Sequence, residues 1–144
     1  MPLSLTIVTP QSKVIKDLKV DNIVMPAGKG EVTILPGHTP LLTTLKPGLI
    51  RTYSVQEEIN FLISRGFAEV RNDKISIFAE TLEPATKIDL EKAEKAKAKV
   101  EETVMHKILG DLEYAKYMRK LEVAHKRVEI AKLMKELSSF KKKK

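Results

Sequence analysis

Up to about residue 83, hydrophobic and polar residues alternate in short runs, and turn-forming residues end each run. Leu3-Ser4-Leu5-Thr6-Ile7 has the period of two that puts every other side chain on one face of a strand, and Pro10 stops it. Val20 to Met25 resumes the pattern before Pro26, followed by Gly28-Lys29-Gly30, by Val32 to Leu35, and by turns at Pro36-Gly37 and Pro47-Gly48. Further strands are predicted over Leu49 to Val55, Ile59 to Ser64, Phe67 to Val70 and Ile75 to Ala79, with Asn72-Asp73 as a hairpin signal between the last two. Many short strands separated by turns predict two packed antiparallel sheets, with a closed barrel as the alternative.

After Pro84 the text turns to Ala, Lys, Glu and Leu without another proline, and the apolar period lengthens to that of a helix. The expected class is therefore α+β: a β domain over residues 1–84, a helical hairpin over 85–140, and a basic tail over 141–144. Asp89 suits an N-cap, and Leu90, Ala93, Ala96, Val100, Val104 and Ile108 form one apolar stripe. Gly110 is read as the C-cap of that helix and Asp111 as the N-cap of the next. The second stripe runs through Leu112, Ala115, Met118, Leu121, Ala124, Val128, Ala131 and Met134. Both stripes are narrow and alanine-rich, so the hairpin buries little apolar area at about 25 cal/mol per Å², and such an element is suited to leaving its seat.

The net charge of +7 sharpens this division. Residues 1–84 carry nine basic and nine acidic side chains, whereas residues 85–144 carry 17 basic against 10 acidic, so the whole excess lies in the helices. Lys/Glu-rich faces either solvate a surface hairpin or meet an acidic partner. Phosphate contact by Lys116, Arg119, Lys120, Lys126 and Arg127 would make the chain a nucleic-acid binder, but aromatic stacking platforms are sparse, so nucleic acid is not the expected partner. The chain has no cysteine, and none of His38, His106 and His125 has a second histidine at helical ligand spacing. No nucleophile elbow and no phosphate-binding glycine loop occurs, which argues against an enzyme. No apolar run approaches the roughly 20 residues of a membrane span. The first residues lack a signal-peptide pattern, so the chain is expected to act in the cytoplasm.

The string Gly30-Glu31-Val32-Thr33-Ile34-Leu35-Pro36-Gly37-His38-Thr39-Pro40-Leu41-Leu42-Thr43, with Leu45-Lys46-Pro47-Gly48 behind it, closely resembles the epsilon subunits of bacterial and chloroplast ATP synthases. Arg65-Gly66-Phe67-Ala68-Glu69-Val70 resembles that family's Gly-Gly-x-x-Glu-Val segment, and the resemblance spans essentially the whole chain. It implies a β-sandwich of about ten strands followed by two helices. The implied function is that of a non-catalytic central-stalk subunit of the proton-translocating F-type enzyme, peripheral to the membrane at the cytoplasmic face of the bacterial inner membrane.

The same resemblance assigns residues to partners. Gly30 and Glu31 match the loop that meets the c ring, and His38 and Thr43 match the surface near the gamma subunit. The helices would fold down or extend into the catalytic head, where Lys116, Arg119, Lys120, Lys126, Arg127, Lys132 and Lys135 would meet acidic segments of beta (and alpha) subunits and oppose ATP hydrolysis. No cofactor is required, and ATP is the candidate regulatory ligand. The family's Ile/Leu-Asp-x-x-Arg-Ala nucleotide motif is matched by Ile88-Asp89-Leu90-Glu91-Lys92-Ala93, with Glu83 and Arg127 matching further contacts. Lys92 stands where the motif has arginine, which keeps the charge but loses the planar fork. Asp89 also has a plain reading as a helix cap, and the missing arginine favours it.

Overall fold

The structure, a computed structural model, describes residues 2–11, 14–55 and 57–142, with side chains described through residue 137. It divides into two compact units, Met1–Pro84 and Ala85–Lys144.

The first unit is built from β1 (Leu3–Val8), β2 (Val14–Val20), β3 (Asn22–Ala27), β4 (Gly30–Ile34), β5 (Leu41–Leu45), β6 (Gly48–Tyr53), β7 (Glu58–Ile63), β8 (Gly66–Arg71), β9 (Lys74–Ala79) and β10 (Leu82–Pro84). Hydrogen bonds join them in the order β10-β7-β6-β3-β5-β8-β9-β1-β2, with β4 paired to β3. The corner lies in β3, whose Asn22 to Val24 pair with β6 while Ala27 pairs with Leu45 of β5. The sheet thus closes over itself as a β-sandwich. Leu3, Leu5, Ile7, Ile23, Met25, Ile34, Ile50, Ile63, Ile75 and Ile77 are fully or almost fully buried between its layers. At about 1.5–3 kcal/mol for each such side chain, these positions dominate the unit's stability.

Three strands escape the sequence pattern. β2 reads as loop because only Val20 among its residues is buried, and Asp17 interrupts it with a φ of 50°. β5 carries the Leu-Leu-Thr-Thr-Leu run between two prolines, and β10 is three residues long. Pro26 does not end β3, because its missing N–H is not needed there, and its carbonyl accepts a 2.8 Å hydrogen bond from the Lys46 N–H. One pairing, β1 with β9, is parallel instead of antiparallel.

Two turns are fixed by backbone chemistry. Leu35-Pro36-Gly37-His38 is a type II turn: the His38 N–H donates to the Leu35 carbonyl at 3.1 Å, and Gly37 has a φ of 84°. Asn72 and Asp73 both take positive φ, 51° and 61°, as a two-residue hairpin of type I′ requires. A separate constraint operates at Gly66, where any Cβ would collide with the Phe78 carbonyl of the neighbouring strand. That close approach accounts for the second glycine of the Gly-Gly-x-x-Glu-Val pattern.

The second unit begins with a turn of 3-10 helix, Ala85–Lys87, followed by α1 (Leu90–His106) and α2 (Asp111–Lys142). The two helices pack side by side. Leu90, Ala93, Lys97, Val100 and Val104 of α1 are the buried or half-buried positions at alternating spacings of three and four. Ala96 is exposed, and Lys97 takes its place by laying its stem over the seam while Nζ reaches Glu101 at 3.7 Å. On α2 the matching positions are Tyr117, Leu121, Ala124, Val128 and Ala131. Leu112, Ala115 and Met118 are exposed, because their steps of three residues rotate them off the seam that Tyr117, Leu121 and Ala124 define, and Ile108 lies fully exposed in the link. Gly110 is not the C-cap of α1. Lys107 holds that place through a 3.1 Å bond to the Thr103 carbonyl, and the Gly110 carbonyl instead accepts the first α2 bond, from Tyr114. Asp111 is then the first residue of α2 and not its cap. The helix also runs through Lys141 and Lys142 of the expected tail, in keeping with lysine's helix propensity, while Lys143 and Lys144 lie outside the described residues.

Candidate interaction surfaces

The outer face of β5, β8, β9 and β1 carries an apolar row. Strand register sets Thr44 beside Phe67, Phe67 beside Phe78, and Phe78 beside Val8. The two phenylalanines are 47% and 44% exposed, and their rings stack with centroids 5.0 Å apart. With Pro10 they line an open depression of about 580 Å³, bordered by the Arg65–Glu80 ion pair at 3.5 Å. Aromatic side chains lose little conformational entropy on contact and dominate interface energetics, so this row is equipped to hold a protein partner. Reading the alternation strictly would have found it, since Phe67 and Phe78 are out of phase with the core positions Ala68, Val70, Ile75 and Ile77.

The residues matched to rotor contacts do not form one cluster. Gly30 and Glu31 begin β4, next to the end of β5, where the Gly28 N–H donates to the Thr44 carbonyl at 3.1 Å. Arg51 of β6 holds the exposed Glu31 carboxylate at 2.8 Å. His38 lies at the opposite end of the same strands, where the Gly37 N–H donates to Asp73 Oδ1 at 2.7 Å. Its ring is half-buried, with Nδ1 2.7 Å from the Thr39 carbonyl oxygen. Thr43 shares the inward parity of Leu41 and Leu45 and is half-buried, so Thr44 is the threonine that faces the aromatic row.

In the second unit Asp89 is the N-cap of α1, and its Oδ1 accepts from the Lys92 N–H at 3.0 Å. The side chain matched to nucleotide binding is thus already engaged by the backbone. Ile88 and Asp89 line a cleft of about 450 Å³ together with Ala131, Met134 and Lys135 of α2. Lys92 is exposed outside this cleft and Ala93 is buried. Glu83, on β10, and Arg127, on α2, are half-buried and both have bonded partners.

The α2 cations divide by angle. At about 100° per residue, Lys116, Arg119, Lys120, Lys126 and Arg127 fall within about a third of the helix circumference, and Lys132 and Lys135 point elsewhere. Within the sector Lys120 Nζ sits 5.0 Å from the Tyr117 ring centroid, and Lys126 pairs with Glu129 at 3.5 Å. Among the described residues no three His, Asp or Glu side chains gather into a metal site.

A sandwich with an exposed aromatic face, followed by a charge-rich helical hairpin, defines a two-unit chain that engages other proteins. Residues 2–85 match the model of the family described as ATP synthase, Delta/Epsilon chain, beta-sandwich domain. The chain is 34% identical over 133 residues to the ATP synthase epsilon chain of Bdellovibrio bacteriovorus, a match covering 91% of this chain and 95% of that one. It is 38% identical over 130 residues to the epsilon chain of Geotalea daltonii, covering 90% and 93%, and 35% identical over 131 residues to that of Staphylococcus aureus, covering 91% and 97%. The fold is shared with a chain in the cryo-EM structure of the Euglena gracilis mitochondrial ATP synthase OSCP/F1/c-ring, with a TM-score of 0.75 at 23% identity over 87% of this chain and 78% of that one. It is also shared with one in the central stalk and c ring of the Tetrahymena thermophila enzyme, with a TM-score of 0.63 at 18% identity over 89% and 97%. The chain belongs to the ATP synthase epsilon-chain family and is a non-catalytic subunit.

Proposed function

We propose that this chain is a rotor subunit of a proton-translocating ATP synthase, linking the gamma subunit to the c ring at the cytoplasmic face of the bacterial membrane. The observation that carries this reading is the exposed Phe67–Phe78 stack, which supplies an apolar anchor for gamma on a rigid sheet face. The Glu31 carboxylate, held by Arg51 beside Gly30, presents an acidic polar contact suited to the c ring. His38 contributes to the gamma side from the rim, and Thr44 on the outer face takes the place there that the resemblance gave to Thr43. No helix among the described residues is long and apolar enough to cross a membrane, so attachment through the complex accounts for peripheral association.

The test is a binding titration of the full-length chain against head particles assembled without it. Neither ring belongs to the buried core, so replacing Phe67 and Phe78 together by Ala should leave the core packing in place, checked by thermal unfolding, while affinity should fall about thirtyfold or more. Unchanged affinity would exclude this face as the gamma contact.

The hairpin is proposed to restrain ATP hydrolysis by extending its basic sector toward acidic segments of the beta and alpha subunits. ATP, the proposed regulatory ligand, is assigned to the cleft between the start of α1 and α2 and not to the Asp89 cap. The engaged cap at Asp89 and the lysine at position 92 both favour a helix start over a nucleotide site, while the cleft beside Lys135 is where a nucleotide phosphate would find a cation.

A further inference from the structure

We infer that Asp73 is a positioning residue for gamma binding: it clamps the Leu35–His38 turn in the orientation that presents Leu35 and His38. The inference rests on the reading that this turn borders the gamma contact.

A type I′ hairpin needs positive φ at both central positions, and glycine is the residue that meets the second demand at least cost. Here Asp73 occupies it with a φ of 61°. Aspartate tolerates this region better than most residues, yet the strain remains, and something must offset it. The carboxylate does so by leaving its own hairpin and accepting the Gly37 N–H at 2.7 Å, across 36 positions of sequence. In a type II turn that N–H belongs to the central peptide, and the bond that closes the turn, from His38 to Leu35, does not use it. Without Asp73 the N–H would turn to water and the tip would be held by its two ends alone.

The clamp is itself anchored. The Asp73 carbonyl accepts from the Ser4 N–H at 2.9 Å, so β1, the β8–β9 hairpin and the Pro36-Gly37 turn are tied at one point. The turn carries Leu35, 55% exposed, and the half-buried His38 ring. Fixing such a tip before association removes an ordering cost from binding.

The experiment compares full-length Asp73→Gly, Asp73→Asn and His38→Ala chains with the parent for thermal unfolding and for affinity to head particles assembled without the chain. Glycine suits the hairpin position, so Asp73→Gly should unfold close to the parent temperature and yet bind about five- to tenfold more weakly. Asp73→Asn keeps an acceptor oxygen at the same place and should recover most of that loss. In the parent, the Gly37 amide should exchange with solvent more slowly than in Asp73→Gly.

Parent-like binding by Asp73→Gly while His38→Ala binds weakly would overturn the clamp and leave the surface assignment standing. Parent-like binding by His38→Ala and Asp73→Gly alike would remove the turn from the contact and the inference with it. An unprotected Gly37 amide in the parent, or unfolding of Asp73→Gly that Asp73→Asn does not correct, would also overturn it.

Discussion

At the scale of single residues, the backbone has already claimed one side chain that the family resemblance marks for a ligand. Asp89 illustrates this, because one of its oxygens satisfies the Lys92 N–H at the first turn of α1. Such a cap is worth about 1 kcal/mol to the helix, and a nucleotide that recruited the carboxylate would compete with it. The Lys92 side chain takes no part in the cap and is exposed, so it can be exchanged without disturbing α1. Lys92→Arg should strengthen ATP binding to the isolated chain several-fold, since a planar fork makes paired phosphate contacts where an ammonium makes one. Calorimetric titration of both forms decides the matter. Equal affinities would show that position 92 does not touch nucleotide and that this stretch serves only as a helix start.

Among the elements, α2 is the one whose composition and geometry point outward. Its 32 residues span about 48 Å at 1.5 Å per residue. Only the stretch from Tyr117 onward lies along the seam with α1, which leaves the first turns exposed. The basic sector of Lys116, Arg119, Lys120, Lys126 and Arg127 is an array of partly or fully exposed cations, and each exposed ion pair with a partner contributes about 0–1 kcal/mol. Arg119→Ala or Arg127→Ala alone should therefore change ATP hydrolysis by the assembled enzyme little. Neutralising four of the five should raise hydrolysis and flatten the dependence of inhibition on salt, because screened charge pairs are what remain to be lost. Abolition of inhibition by one substitution, with the others silent, would identify a buried contact and refute an additive electrostatic brake.

For the molecule as a whole, the division at Pro84 separates two kinds of stability. The first unit owns a large, mostly aliphatic core drawn from all ten of its strands, whereas the described buried apolar residues of the second are mainly alanines, with Val128 and Ile130. A chain ending near residue 86 should therefore fold, bind gamma and support coupled ATP synthesis, while hydrolysis by the complex containing it should rise. Assembly and proton pumping by membranes carrying the shortened chain measure both parts. Failure to assemble would mean that the helices contribute to seating the subunit, contrary to the self-contained core of the sandwich.

The local periodicities sufficed to reveal both units and most strands, because a period of two and a helical period are properties of neighbouring residues that no distant contact needs to supply. The Asp89 cap and the Asn72-Asp73 hairpin were legible for the same reason. What the chain could not declare by itself were features whose partners lie far away in sequence. β2 is a strand because β1 supplies its ladder and not because its side chains are apolar, and Pro26 continues β3 because of where Lys46 arrives. The helical seam passes through Lys97 and not Ala96, since the packing geometry of two helices overrides hydrophobicity at a single position. Likewise, Gly30 and His38 are eight positions apart in one continuous motif, yet the course of β4 carries them to opposite ends of the sandwich. The aromatic row of Phe67 and Phe78 exists only through strand register, and the reach of Asp73 to Gly37 only through the closure of the sheet, because both are juxtapositions that three-dimensional folding creates.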